Sequence, residues 1–193
     1  MFEQLKKHIN KSVSISDKEF DTLTEFFTPK HLKKKEHLYK QNQICKYIAF
    51  VAKGCLRNYH IDDKGDEHII YFALEDWWVA DLQSFFLRIP SMFNMQALED
   101  CELLVSTKTE FENAFETVPV FEKFYRLKTQ KAYTNTQKSV AEKAETAEDR
   151  YRKLLNTSPS IIQRIPQRYL ASYLGIQPQS LSRIRKKISV PNN

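Results

Sequence analysis

The apolar positions change period twice along the chain. Phe20, Leu23, Phe26 and Phe27 recur at helical spacing behind Ser16 and Glu19, which form a capping box, and Pro29 is expected to end that helix. The run Lys33-Lys34-Lys35 reads as a solvated turn. From about Leu38 to Ser106 the period shortens. Tyr47 to Val51 is a short β-rich run broken at Lys53-Gly54, and Leu56, Asn58 and His60 then alternate with Arg57, Tyr59 and Ile61. Asp62 to Glu67 is a turn cluster, and His68 to Ala73 returns as the partner strand. Phe93 to Ala97 and Leu103 to Ser106 are further strand candidates, and the set predicts an antiparallel roll or sandwich.

Helical spacing then resumes. Thr107 and Glu110 make a second capping box for a short helix to about Phe115, and a longer helical region runs from about Val118 to Asn156. Val140, Ala144, Ala147, Tyr151 and Leu154 alternate at four and three, an a/d seam. A third capping box, Thr146 with Asp149, predicts two helices with a break near Ala144 to Thr146. Such a seam packs either on its own domain or on a second copy. A dimer contact is expected mainly on the first half, around Phe121, Phe124 and Tyr133.

The strongest local pattern runs from Gln167 to Ile188. Leu170, Ala171 and Leu174 give a first helix one apolar face, and small Ala171 lets a second helix cross closely. Gly175 suits the left-handed residue that ends a helix, Ile176 plugs the turn, and Pro178 sits where the next helix begins. Leu181, Ile184 and Ile188 face inward, leaving Gln177, Gln179, Ser180, Ser182, Arg183, Lys186 and Lys187 outward. Gln and Arg make bidentate contacts with base edges, whereas Lys and Arg suit phosphates. With Arg168 on the first helix, these are the expected DNA-binding residues of a helix-turn-helix.

Charge sharpens this. The net charge of +6 is an average over two unlike parts. Residues 151–193 hold eight basic and no acidic side chains, while residues 1–150 hold 22 basic and 24 acidic ones. The excess therefore coincides with the proposed DNA module. With 41% hydrophobic and 28% charged residues, a disordered chain is excluded, and no apolar stretch is long enough for a membrane span. No secretory signal is visible, and three dispersed cysteines (Cys45, Cys55, Cys101) suggest the reducing cytoplasm. They also do not supply the four thiolates of an iron–sulfur centre. Haem ligation by one of His8, His31, His37, His60 or His68 stays open, although lone histidines are more often surface residues. No phosphate-binding glycine loop, metal-ligand spacing or catalytic constellation is present, so neither a metal nor an enzyme is expected.

A C-terminal helix-turn-helix behind a long helix and a β-rich domain resembles the Crp/Fnr family of bacterial transcription regulators. Tyr47 to Gly54, continuing into Cys55-Leu56-Arg57, is similar to the family's roll segment, and Gln96 to Leu104 to the strand and turn that close the roll. Ala147 to Leu155, with Pro159 and Ile165-Pro166-Gln167, resembles the linker into the DNA module. The resemblance implies a homodimer joined through the long helix, reading two half-sites of a near-palindrome and possessing RNA polymerase as a candidate partner. Arg183 matches the second arginine of the family's recognition helix, while Pro178 and Gln179 replace the other two usual residues, so the operator should differ. Little sequence follows Ile188 to form the wing that often contacts phosphates.

At the effector site the match fails. Cyclic-nucleotide-binding members begin a short helix with Gly-Glu and place Arg-Ser or Arg-Thr about ten residues on. Here Ala80 replaces the glycine, Asp81 stands for the glutamate before Leu82, and Ser91-Met92 sits where the arginine pair would be, followed by Phe93. Arg88 is the candidate substitute cation. Cyclic AMP is therefore not expected to bind, and Trp77, Trp78, Phe85, Phe86 and Phe93 form either a pocket for an apolar effector or a filled core.

These readings predict an α+β chain. Residues 1–117 form an antiparallel β-roll (a jelly roll, or double-stranded β-helix) with flanking helices, residues 118–145 a dimerisation helix, and residues 146–193 the helix-turn-helix. The expected function is sequence-specific DNA binding as a homodimer on a near-palindromic operator, with an effector other than cyclic AMP or none, and with no cofactor. The alternatives are a constitutive or architectural DNA binder with a vestigial roll, or a small-molecule enzyme built on the roll.

Overall fold

In a computed structural model, residues 1–141, 145–157 and 159–189 are described. Ala144 and the side chain of Val140, both in the expected seam, lie outside the described set, as does part of the expected break. Among the described residues, eight strands form two antiparallel four-stranded sheets, with orders β1-β8-β3-β6 and β2-β7-β4-β5. The strands are β1 (Thr28–Leu32), β2 (His37–Tyr39), β3 (Tyr47–Lys53), β4 (Leu56–Ile61), β5 (Glu67–Ala73), β6 (Trp78–Val79), β7 (Asn94–Ala97) and β8 (Cys101–Thr107). The four longer strands match the sequence pattern, and the turn cluster at Asp62 to Asp66 closes the β4–β5 hairpin. Alternation is visible along β4, where Leu56 and Asn58 face the interior and Arg57 and Tyr59 the opposite side of the sheet.

One boundary needs correction. The helix α2 (Asp17–Thr24) ends before Phe26, and Pro29 lies inside strand β1 rather than stopping a helix. A proline fits there because β1 is an edge strand, paired only with β8, so a missing N–H need not break a ladder. At the start of α2 the capping box forms as expected, and Ile15 and Phe20, flanking it, are both buried.

The roll's core joins both sheets to α1 (Phe2–Asn10), α2, α3 (Leu82–Leu87), α4 (Lys108–Thr117) and the start of α5 (Pro119–Ala141). Phe121 and Phe124 are fully buried in it, against Phe111, Phe27 and Trp78. This overturns the expectation that they meet a partner: their rings are consumed by the chain's own roll. Among the described residues of α5, Leu127 and Tyr133 are the exposed large apolar ones, Tyr133 at 65% exposure.

Beyond α5 come α6 (Ala147–Thr157), α7 (Pro159–Arg164), α8 (Gln167–Leu174) and α9 (Pro178–Ser189). Thr146 caps α6 by accepting from the Asp149 N–H at 3.1 Å. Tyr151, Ile165, Leu170, Ala171, Leu174 and Leu181 form a second core with Cys55, just before β4, and with Tyr59, Ile69 and Phe72 from the outer face of β4 and β5. The C-terminal helices thus cover one face of the roll.

Candidate nucleic-acid interface and effector site

The α8–α9 pair is shaped by a short turn. Gly175 adopts the left-handed conformation (φ 68°, ψ 31°), with its N–H bonded to the Ser172 carbonyl and that of Ile176 to Ala171, both at 3.0 Å. These two bonds close the end of α8. Leu170, Ala171, Leu174 and Leu181 are buried between the helices, and Ile176, Ile184 and Ile188 are half-buried. Arg168, Gln177, Gln179, Ser182, Arg183, Lys186 and Lys187 are exposed, and Ser180 is half-buried.

The outward set is not uniform. Ser182 donates to the Pro178 carbonyl at 3.1 Å and accepts from the Gln167 amide, so its hydroxyl is turned back on the helix. Lys187 pairs with Glu148 at 2.8 Å, and Arg168 donates to the Tyr169 hydroxyl at 2.7 Å. Gln177, Gln179, Arg183 and Lys186 project without a side-chain partner among the described residues. Arg168, Gln177 and Ser180 also line a cleft of about 650 Å³ whose opposite wall is Asp66, Glu67 and His68 of the β4–β5 hairpin.

Side chains not singled out from the sequence hold this arrangement to the roll. Arg57 is 3% exposed, with its guanidinium 4.0 Å from the Tyr59 ring centre and 4.1 Å from that of Tyr169. It donates through Nε to Gln96 at 2.8 Å and through both Nη atoms to Glu67. Ser172 accepts from the Ile69 N–H at 3.2 Å and donates to the Glu67 carbonyl at 3.1 Å. Arg164 forks onto Glu75 at 2.9 Å and reaches Glu99. Those two carboxylates push the Arg164 pKa up. Burial raises that of Glu75, but the Arg164 and Gly54 hydrogen bonds outweigh it and hold the carboxyl below its ordinary range. The available signal was Arg57 itself, a charged residue inside a strand of otherwise apolar and neutral neighbours.

Inside the roll, the expected effector residues separate. Trp78 is a core residue, its ring near those of Phe27, Phe50, Phe111, Phe121, Phe124 and Tyr125. Ala80 and Phe93 pack against the same core. Leu82 and Met92 are exposed instead. Only Asp81 and Ser91 come together. Asp81 caps α3 by accepting from the Ser84 N–H at 3.2 Å, and its second oxygen accepts from the buried Ser91 hydroxyl at 2.7 Å. The positions that stand for the family's glutamate and arginine therefore bond to each other. Arg88 does not replace the missing cation: it takes the left-handed C-cap of α3 and reaches the Cys45 carbonyl at 3.5 Å from an exposed position. Nearby, Asn58 donates to the Tyr39 hydroxyl at 3.0 Å, and burial pushes the phenols of Tyr39 and Tyr71 well up. Asp81, Ser91, Asn58 and the two phenols are thus polar groups set against an otherwise apolar core. Among the described residues no group of three metal-ligating side chains occurs, and no helix is long and apolar enough to cross a membrane.

Residues 29–118 match the family described as the cyclic nucleotide-binding domain. No curated protein sequence matches the chain. Among solved structures, the regulator CLP of Xanthomonas campestris, described as c-di-GMP responsive, superposes with a TM-score of 0.70 at 14% identity, covering 90% of this chain and 91% of that one. FixK2 of Bradyrhizobium japonicum gives 0.67 at 17% identity, with 84% of each chain covered. The catabolite activator protein of Thermus thermophilus gives 0.59 at 15% identity, covering 91% and 84%. At these identities the likeness is one of fold.

Proposed function

From a Crp/Fnr-type protein whose residues 29–118 match the cyclic nucleotide-binding domain, we propose a sequence-specific DNA-binding transcription regulator that does not use cyclic AMP. The observation that carries this reading is the α8–α9 pair. A left-handed glycine turn fixes two helices over a shared apolar seam, and the outer face of the second presents Gln177, Gln179, Arg183 and Lys186. A helix of this width enters the major groove, where glutamine and arginine read base edges and lysine holds phosphates. Among the proteins of similar fold, one is named a catabolite activator protein and another a global regulator, which supports the reading.

Two copies meet through α5, with Leu127 and Tyr133 offered to the partner. A near-palindromic operator with half-sites about 34 Å apart then suits the pair. The roll sets the placement of the two reading helices, and a small effector shifts it. A second reading, of a DNA binder whose roll no longer senses anything, is favoured by the Asp81–Ser91 bond, which satisfies both groups without a ligand.

Selection of bound sequences from a random DNA pool, with and without metabolite extract, tests both. A defined palindromic motif supports the regulator reading, and a motif whose affinity shifts with extract separates sensing from its absence. Replacing Arg183 by Ala should relax preference at one position of each half-site, by about 1–3 kcal/mol. An unchanged preference would remove Arg183 as the base-reading residue.

A further inference from the structure

Arg88 belongs to a feature outside the roll's interior. Its guanidinium lines a cleft of about 490 Å³ together with Lys46, Tyr47, Lys108 and Glu112. The three cations come from separate parts of the chain: the segment leading into β3, the C-cap of α3 and the first residue of α4. Lys46 and Arg88 form no ion pair among the described residues. Lys108 donates to the Phe86 carbonyl at 3.0 Å and lies 3.7 Å from Glu112, the one carboxylate in the wall. Just outside, Lys30 sits over the Tyr47 ring at 5.6 Å. Like charges gathered around one concavity focus a positive potential that an anion relieves. The first turn of α4 lies in the same wall, and the Glu110 carboxylate, accepting from Thr107, offsets the positive end of the helix dipole.

We propose that this cleft binds a small phosphorylated metabolite carrying two negative charges. Three cations against one carboxylate leave two positive charges to be matched. The Arg88 fork suits two oxygens of one phosphate, and Lys46 adds a mobile point charge. The volume falls within the range of small-molecule sites, about 300–1,000 Å³. Tyr47 and the aliphatic stems of the lysines supply apolar wall for the rest of the ligand. An occupant would bridge the end of α3 to the start of α4, which packs on α5. The proposal stands apart from the DNA-binding reading, because none of its residues lies in the C-terminal helices.

The test is calorimetric titration of inorganic pyrophosphate into the full chain. Three proteins are compared: the natural chain, Lys46→Gln with Arg88→Gln, and Arg183→Ala with Lys186→Ala. Both cleft residues are exposed, so their removal leaves the core untouched. The expected result is saturable binding near one equivalent, weakened at least about tenfold in the cleft variant and retained in the C-terminal one. An excess of duplex DNA should leave that heat in place. Absence of saturable binding, equal affinity in the cleft variant, loss in the C-terminal variant or displacement by the duplex each overturns the proposal.

Discussion

Arg57 and Tyr169 tie the roll to the α8–α9 pair, and their coupling can be measured. The guanidinium is desolvated between two rings, so its interaction with the Tyr169 face should contribute about 1–2 kcal/mol, above the value for an exposed pair. Replacing Arg57 by Met also removes the fork to Glu67. The Glu67 side chain is 40% exposed and can rehydrate, so this falls below the penalty for a stranded buried charge. A total of about 2–3 kcal/mol is expected for Arg57→Met, and about 2 kcal/mol for Tyr169→Leu. The double variant should lose about 1 kcal/mol less than the two singles together. Urea unfolding followed by far-ultraviolet circular dichroism yields the cycle. Exchange of the Ile69 N–H, which donates to Ser172 across the same interface, should quicken in Tyr169→Leu. Losses that add within about 0.3 kcal/mol, with Ile69 exchange unchanged, would refute the docking argument.

Three other outcomes follow from local geometry. Gly54 has φ +107°, and a Cβ there would lie 2.5 Å from Cys101 Sγ and 2.9 Å from its Cα, whereas Gly65, at φ +87°, has nothing within 4 Å. Gly54→Ala should therefore cost about 3 kcal/mol or more against about 1 for Gly65→Ala, and equal melting shifts would contradict this. His8 is buried between Phe50 and Phe124 with both ring nitrogens unpaired, Asp76 being 3.5 Å away, and burial lowers its pKa. The unfolded chain then takes up the proton more readily, so stability held above the ordinary pKa of 6.5 is lost as pH falls below it. His8→Phe should reduce the slope between about pH 7 and 5, as read by denaturation at stepped pH. Cyclic AMP should give no saturable calorimetric heat, because Ser91 stands at the arginine position and is bonded to Asp81, and a micromolar dissociation constant would sink that reading.

Periodicity made the fold legible wherever one face of an element is buried. The long strands and the α8–α9 turn carry their own signals in alternation and in Gly175. Strand β1 was hidden by Pro29, because local sequence does not say that a strand will be an edge. Phe121 and Phe124 show a second limit: an apolar stripe announces that it will be covered, but not by what. Their spacing suits a partner helix and the chain's own roll equally, and tertiary packing chose the roll. Arg57 and Arg88 show a third. Each is a cation whose neighbours, Tyr169 and Lys108, lie far away in sequence, so its role exists only once the chain is folded.

The same limit revises what the charge count means. Residues 151–193 carry eight basic side chains, which as a total suggests a broad polyanion-binding face. Folding spends several of them on acids from outside that segment: Arg152 and Lys187 on Glu148, and Arg164 on Glu75 and Glu99. Arg168 is held against Tyr169. Arg183 and Lys186 keep no such partner among the described residues. They lie three residues apart on α9, so they project from one face of the helix. The electrostatic footprint is therefore narrower than the composition implies, and it falls on the helix that carries Gln179 and follows Gln177, the side chains proposed to meet base edges. A duplex gains more from two cations aligned with base-reading side chains than from eight spread over a domain, because only the former add position to attraction.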